Sequence, residues 1–333
     1  NADLWHCRSD RSKTASEKKI LAKNAPAILK PSEVSPLSSI LFAEILHEAG
    51  TPPGVFNLVN GDGPGVGTQL SGHRDVQMIS FTGSTRAGIA ISKNAADTLK
   101  RVTLELGGKG ANIIFDDADD QAVERGVLHC FNNAGQSCSA PTRMLVQRSR
   151  YDQAVDQAVR TADAMTYGQS GDVDWNMGPV VNATQFGKIQ DLIEAGIAGG
   201  ARLAAGGPGR PEGFNRGYYC RATVFADVDN DMRIAREEIF GPVLSILPFD
   251  TEEEAIAIAN DTDYGLSNYV QSQDGEKRNR VATQLRSGTV EMNGVGRGAG
   301  CPFGGMKASG VGREGGAWGL EDFMEIKAVS GWA

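Results

Sequence analysis

The sequence predicts an α/β protein built on a doubly wound, largely parallel sheet, and three observations carry that prediction. Short apolar runs that read as strands alternate with segments of helical periodicity along most of the chain, which demands crossover connections and parallel pairing. A strand runs directly into the turn Thr82-Gly83-Ser84-Thr85 and then into a helical segment, a junction whose free N–H groups and helix dipole favour an anion such as a pyrophosphate. Glycine is frequent, at 42 of 333 residues, as expected of many tight turns and close backbone approaches.

Residues 1–23 show no clean period and read as an irregular arm. Ile28-Leu29-Lys30-Pro31 reads as a short strand ending at a proline. Ser35 is expected to cap a helix with Pro36 at its first position, placing Leu37, Ile40, Leu41 and Ile45 on one face, with Gly50 as its stop. Val55–Val59 and Met78–Phe81 are the next strands. The loop Gly61–Gly67 between them does not fit G-x-G-x-x-G and is weak evidence of a phosphate site. Val102–Leu106 and Asn112–Phe115 follow as strands, with Gly107-Gly108 letting the backbone pass close to something bulky. Asp116, Asp117, Asp119 and Asp120 are expected to open a helix through Val123, Val127 and Phe131, where they suit the positive end of its dipole. Beyond it the pattern places strands near 143–147, 218–224, 243–247, 267–271 and 288–292. Helices are expected near 151–165, 182–198, 251–260 and 276–286, and Ala204–Gly213 reads as a loop.

A formal charge of -8 argues against a nucleic-acid partner held by phosphate contacts. The most apolar early stretch, Ile40–Leu46, is interrupted by Glu44 and falls far short of the ~20 residues that a membrane-spanning helix needs, so no membrane association is expected. No signal peptide is evident. The five cysteines are unevenly spaced, which argues for a reducing compartment, the cytoplasm, rather than a disulfide framework. No CxxC or His-rich cluster suggests a metal.

The stretch most able to carry chemistry is Phe131-Asn132-Asn133-Ala134-Gly135-Gln136-Ser137-Cys138. A lone cysteine reads first as a small buried hydrophobe, as Cys130, Cys220 and Cys301 do here. Cys138 departs from that reading because of two companions: Leu104-Glu105-Leu106-Gly107-Gly108-Lys109 upstream and Glu237-Glu238-Ile239-Phe240-Gly241-Pro242 downstream. Alone, Glu105 would be a structural ion-pair partner, Glu238 a solvated surface residue, Lys30 and Glu33 a surface pair, and Lys109 structural.

Taken together, these segments resemble the NAD(P)-dependent aldehyde dehydrogenase superfamily, and the likeness extends from about Leu21 to Gly331 with the motifs in family order. It implies a Rossmann-like cofactor domain over residues 24–108 and an α/β catalytic domain over 109–310. Residues 311–333 would form a return with an oligomerisation strand around Ile326–Gly331. By the same resemblance Cys138 is the nucleophile and Glu105 the general base. Lys30 and Glu33 meet the adenosine ribose, Gly83 and Ser84 the pyrophosphate, and Leu106, Glu238 and Phe240 the nicotinamide end. Asn293 and Phe303 fall on the substrate side. Arg297, an unusual cation in the glycine-rich segment before Pro302-Phe303, reads either as a solvated loop arginine or as lining the substrate mouth, where it would favour aldehydes carrying a carboxylate. The implied cofactor is NAD rather than NADP, the implied substrate a small aldehyde, and the implied assembly a homodimer or homotetramer.

The family's Trp-Asn-x-Pro segment, which carries an oxyanion-binding Asn, has no counterpart in Asn1–Lys19, so the cofactor domain is expected to be N-terminally truncated. Two readings follow: an aldehyde-oxidising enzyme, or a catalytically impaired paralogue serving as an assembly or binding subunit. Rapid labelling of Cys138 at neutral pH would separate them.

Overall fold

A computed structural model of the chain describes residues 26–168, 176–325 and 330. The arm expected at 1–23, Cys7, and most of the strand expected at Ile326–Gly331 lie outside the described residues. The chain forms two compact units that interleave along the sequence: Asn1–Ser80, Ile89–Thr103 and Gly315–Ala333 make the first, and Phe81–Gly88 and Leu104–Glu314 the second.

In the first unit, β1 (Ala27–Leu29) pairs in parallel with β2 (Phe56–Leu58). The helix between them, Leu37–Glu48, differs from the sequence expectation at its start, because Pro36 itself holds the N-cap position and no side chain caps the helix. Ser35 is drawn instead into the preceding turn, where its N–H donates to the Ser32 carbonyl. Leu37, Leu41 and Ile45 do share a face, but it is solvent-exposed, at 78%, 57% and 52%. Gly50 follows the helix with a φ of 80°, the left-handed stop that glycine favours. Within the Gly61–Gly67 loop the chain coils into a wide turn at Gly63–Gly67, anchored by the Asp62 carboxylate accepting from the Gly65 N–H.

Strands β3 (Met78–Thr82) and β4 (Arg101–Glu105) each run from the first unit into the second. The second unit is organised on a seven-stranded sheet. Its strands are β5 (Ala111–Ile114), β6 (Arg143–Gln147), β7 (Arg202–Ala205), β8 (Thr223–Ala226), β9 (Val243–Phe249), β10 (Ser267–Gln271) and β11 (Thr289–Met292), in the order β11-β10-β5-β6-β9-β8-β7. All pairings are parallel except β7 with β8. The central strands are buried along nearly their whole length, which is why they read as continuous apolar runs. Helices Ala122–Phe131 and Tyr151–Asp163 pack on each other and against the sheet, as do Glu252–Asn260 and Gln284-ended Gly275–Gln284. The short β12 (Gly310–Val311) lies antiparallel to the end of β4, with Gly310 opposite Glu105.

Three local expectations are corrected. The strand near 218–224 begins only at Thr223, since the Tyr218 carbonyl accepts from the Val180 N–H and the Ala222 N–H donates to the Tyr167 hydroxyl. β7 lies partly inside the predicted loop 204–213; its antiparallel partner, rather than its own composition, makes it a strand. The acidic run does not form the first turn of its helix, which starts at Ala122. Asp119 instead accepts from the Gln121 N–H and pairs with Arg125 at 2.8 Å.

Phe131 ends that helix fully buried, against the core and immediately before the Cys138 loop. Phe131→Ala should cost about 3–5 kcal/mol in denaturant unfolding, the usual range for a buried aromatic truncated to alanine. A loss below about 1 kcal/mol would show that the site relaxes far more than its packing suggests.

Candidate active site

Cys138 lies in the loop between helix Ala122–Phe131 and β6, half-buried, with its thiol free. The approach to it is unusual backbone: Asn133, Ala134 and Gly135 follow one another at φ 53°, 54° and 71°. A run of left-handed residues is costly and reverses the chain sharply after the helix. Gly135 could not be replaced, because a Cβ there would overlap the Gly241 carbonyl. The loop carrying Cys138 is thereby seated on the segment that follows Glu238.

The meeting point of the site is Gly107-Gly108, just past the end of β4. The Gly108 N–H donates to the Glu238 carboxylate at 3.1 Å. A Cβ on Gly107 would overlap that carboxylate, and one on Gly108 would overlap the Cys138 carbonyl. Glu105, two residues before this pair, is 6% exposed, and its carboxylate lies against Gly304, where a Cβ would sit 2.5 Å from Oε1. Gly304 has a φ of 148°, so glycine suits that position on conformational as well as steric grounds. Glu105 is held by its backbone too: it lies opposite Gly310, and its carbonyl accepts from the Gly83 N–H at 3.0 Å. Cys138, Glu105 and Glu238, far apart in sequence, therefore converge in one unit.

Electrostatics set the resting state of the thiol. Burial raises the Cys138 pKa, and the Glu238 and Glu105 carboxylates raise it further, while its own and the Ser139 backbone N–H groups pull it down. The cysteine rests as a thiol at neutral pH. Rapid neutral-pH labelling is thus a poorer discriminator than the sequence suggested. Burial likewise lifts Glu238, opposed by the Gly108 N–H, Lys188 and Lys109.

The other candidates are placed as follows. Ser84 uses its hydroxyl locally, accepting from the Ala87 N–H at 3.3 Å, and Leu106 is buried with its N–H on the Ser309 carbonyl. Phe240 has a φ of 56°, and its carbonyl accepts from Gln185. Lys30 donates at 2.7 Å to the Gly61 carbonyl and lies 3.5 Å from the Glu33 carboxylate. Asn293 has both ends of its amide on the Ser272 backbone, at 3.1 and 2.9 Å, and so serves as a strand-end clamp. Arg297 stacks over Phe303 at 4.4 Å and lies 4.0 Å from Glu291, which partly neutralises it. Cys301, expected in the core, is exposed, because it sits in the glycine-rich loop beyond β11.

Sequence reasoning missed the residues leading outward from the thiol. The Tyr269 hydroxyl donates to the Ser139 carbonyl at 2.6 Å, its ring meets His129 edge to face at 5.0 Å, and Glu291 is its register partner on the next strand. The period-2 alternation of β10 and β11 puts Tyr269 and Glu291 on one face, but only the pairing register makes them neighbours.

Removing the Glu238 charge should lower the Cys138 pKa and so raise its thiolate fraction. Glu238→Gln is expected to speed alkylation of Cys138 at pH 8 severalfold, with the rate still climbing to pH 9 and above. An unchanged pH–rate profile would mean that the carboxylate does not act on the thiol.

Comparison with known proteins places this geometry. The aldehyde dehydrogenase family profile matches residues 18–329. The chain is 53% identical over 321 residues to a 3-succinoylsemialdehyde-pyridine dehydrogenase of a Pseudomonas species, covering 94% of this chain and 67% of that protein. It is 46% identical over 312 residues to a putative aldehyde dehydrogenase of Staphylococcus epidermidis, covering 93% and 66%. Among solved structures, an aldehyde dehydrogenase from Bartonella henselae superposes with a TM-score of 0.91 at 61% identity, over 92% of this chain and 64% of that one. A mutant of aldehyde dehydrogenase C from Pseudomonas syringae, complexed with NAD+ and octanal, gives 0.91 at 52% identity, over 92% and 64%. The chain thus spans about two-thirds of the length of the relatives it matches. With its motifs, its fold and these likenesses in agreement, the chain belongs to the aldehyde dehydrogenase family.

Proposed function

We propose that the chain carries the chemistry of aldehyde oxidation to a carboxylic acid with NAD. The observation that supports this most directly is the meeting of the Cys138 carbonyl and the Glu238 carboxylate on Gly107-Gly108, just beyond Glu105, whose charge also acts on the Cys138 thiol. An aldehyde gives up hydride readily only after its carbon has become tetrahedral, so a nucleophile must add first. Cys138, once deprotonated, adds to the carbonyl carbon to form a thiohemiacetal. The developing oxyanion is placed to accept from the Cys138 N–H. Loss of hydride leaves a thioester on Cys138, and water attacks it after giving a proton to the Glu105 carboxylate.

The residues present fit a dinucleotide. Gly107 leaves space that a Cβ would fill beside the Glu238 carboxylate, an acceptor for ribose hydroxyls. Gly83 and Ser84 begin the strand-to-helix turn suited to a pyrophosphate; in the first unit, taken by itself, Lys30 and the half-exposed Glu33 lie 3.5 Å apart as a cation and an acceptor of the kind that suits a ribose. When bound, NAD supplies the hydride acceptor. The octanal and NAD+ complex of the Pseudomonas syringae enzyme supports both substrate class and cofactor. On this reading Arg297, in the loop following β11 and 4.0 Å from Glu291, would favour aldehydes carrying a carboxylate. A homodimer or homotetramer in the cytoplasm accords with the family; the described cysteines are all free. No helix among the described residues is long and apolar enough to cross a membrane.

Two substitutions separate the steps. Cys138→Ala should abolish NADH formation while leaving NADH binding measurable by fluorescence. Glu105→Gln should give a burst of NADH followed by turnover reduced about 10²–10⁴-fold, the usual contribution of a general base. Steady-state turnover within a few-fold of the parent would assign Glu105 another role.

Cofactor choice follows from Glu33, whose own backbone N–H and Lys30 hold its carboxyl below the usual range, so it is ionised at neutral pH. A 2′-phosphate beside it would place two negative groups together. kcat/KM is expected to be higher with NAD than with NADP, and Glu33→Gln should narrow the gap. Equal efficiency with both cofactors in the parent protein would contradict this.

A further inference from the structure

Of the two charged residues in the Leu104–Lys109 segment, Lys109 is the one to which the proposed chemistry gives no task, and its environment is exceptional. The side chain is 2% exposed, and its Nζ is shut off from solvent with no hydrogen-bond partner. A buried amine without a partner is expensive to keep, so its retention calls for an explanation. Its backbone is fixed: the Lys109 carbonyl accepts from Arg143 Nε at 3.1 Å, and the preceding Gly108 N–H holds the Glu238 carboxylate.

The charged and titratable groups around it come from three elements and from the loop that carries Glu237 and Glu238. Arg143 on β6 repels a charge on Lys109, as does Lys188 on helix Ala183–Ala198, whose own Nζ donates to the Glu238 carbonyl at 2.7 Å. Cys130, on helix Ala122–Phe131, is pushed up to about 12 by burial and remains a neutral thiol. Glu238, with Glu237 beside it, supplies the opposite charge, and the attraction is mutual: Lys109 lowers the Glu238 pKa just as Glu238 raises that of Lys109. Glu237 is already paired with Arg233 at 2.7 Å. Cys138 and Tyr264 also face Glu238, and neither carries a positive charge. Lys109 and Lys188 are therefore the two cations that act on the Glu238 carboxylate, and Lys188 is tied to its backbone.

We propose that Lys109 is a positioning residue for Glu238: its buried ammonium keeps the carboxylate ionised on the Gly108 N–H, preset to accept from the nicotinamide ribose. This deepens the proposed function and rests on its assignment of Glu238 to that ribose. Burial, with Arg143 adding to it, lowers the Lys109 pKa to about 7. The support is accordingly present below pH 7 and fades as pH rises through it. Above that window the Gly108 N–H and Lys188 remain to favour the ionised carboxylate.

The test is the pH dependence of NADH affinity, followed by fluorescence, in the parent chain, Lys109→Met, Glu238→Gln and the double variant. Lys109→Met should weaken NADH binding about three- to tenfold at pH 6, where Glu238 loses a cation that favours its ionised form, and less than about twofold at pH 8.5. In the Glu238→Gln background the same substitution should add nothing at either pH. Lys109→Gln, smaller and neutral, should repeat the pattern if the methionine variant folds poorly. An equal loss at both pH values, or a loss that persists without the Glu238 carboxylate, would make Lys109 purely structural and overturn the inference alone. Intact NADH affinity in Glu238→Gln by itself would overturn the assignment of Glu238, and the inference with it.

Discussion

The site depends on a stretch of backbone with no side chains on it. At Gly107-Gly108 the Glu238 carboxylate takes a hydrogen bond from the Gly108 N–H while the Cys138 loop presses its carbonyl against the same residue. A single methyl group at either position would push one partner away. The packed core has little slack with which to absorb such a change. Three chain segments thus share one van der Waals surface, and the spacing between the Cys138 loop and the Glu238 carboxylate follows from it.

Around this contact the structure favours rigidity over polar reactivity. The seven-stranded sheet supplies buried strand ends, and the Cys138 loop leaves its helix through successive left-handed residues that only firm packing can hold. Glu105 is fixed by β12 on one side and by the Gly83 N–H on the other, so the proposed base and the nucleotide turn are coupled through one strand end. The price of this burial is a thiol whose pKa is raised by desolvation and by two carboxylates. Such a cysteine is protected from adventitious chemistry at rest and needs a change in its surroundings before it becomes a nucleophile.

Glu238 shows how one carboxylate can be asked to do opposing things. Its charge discourages the Cys138 thiolate, yet the proposed task of accepting from a ribose is best served by that same charge. The Gly108 N–H, Lys188 and Lys109 all pull it towards the ionised form against the effect of burial. The balance is local and electrostatic, and it involves three loops and the helix that carries Lys188.

Much of this was legible in the sequence. The alternation of apolar strands and periodic helices gave the α/β class, because burial on both faces leaves near-continuous apolar runs in β5, β6, β9 and β10. Cys138, Glu105 and Glu238 stood out because their flanking residues form motifs, and motifs are local. What the sequence could not decide is whatever depends on a partner far along the chain. β7 became a strand through β8, Ser35 lost its cap to a turn at Ser32, and Cys301 came to the surface with its loop. Lys109 read as structural, with nothing in its neighbours along the chain to show that the fold would close over its amine. Only tertiary structure excludes water, and the exclusion of water separates a surface lysine from a buried one poised near neutrality.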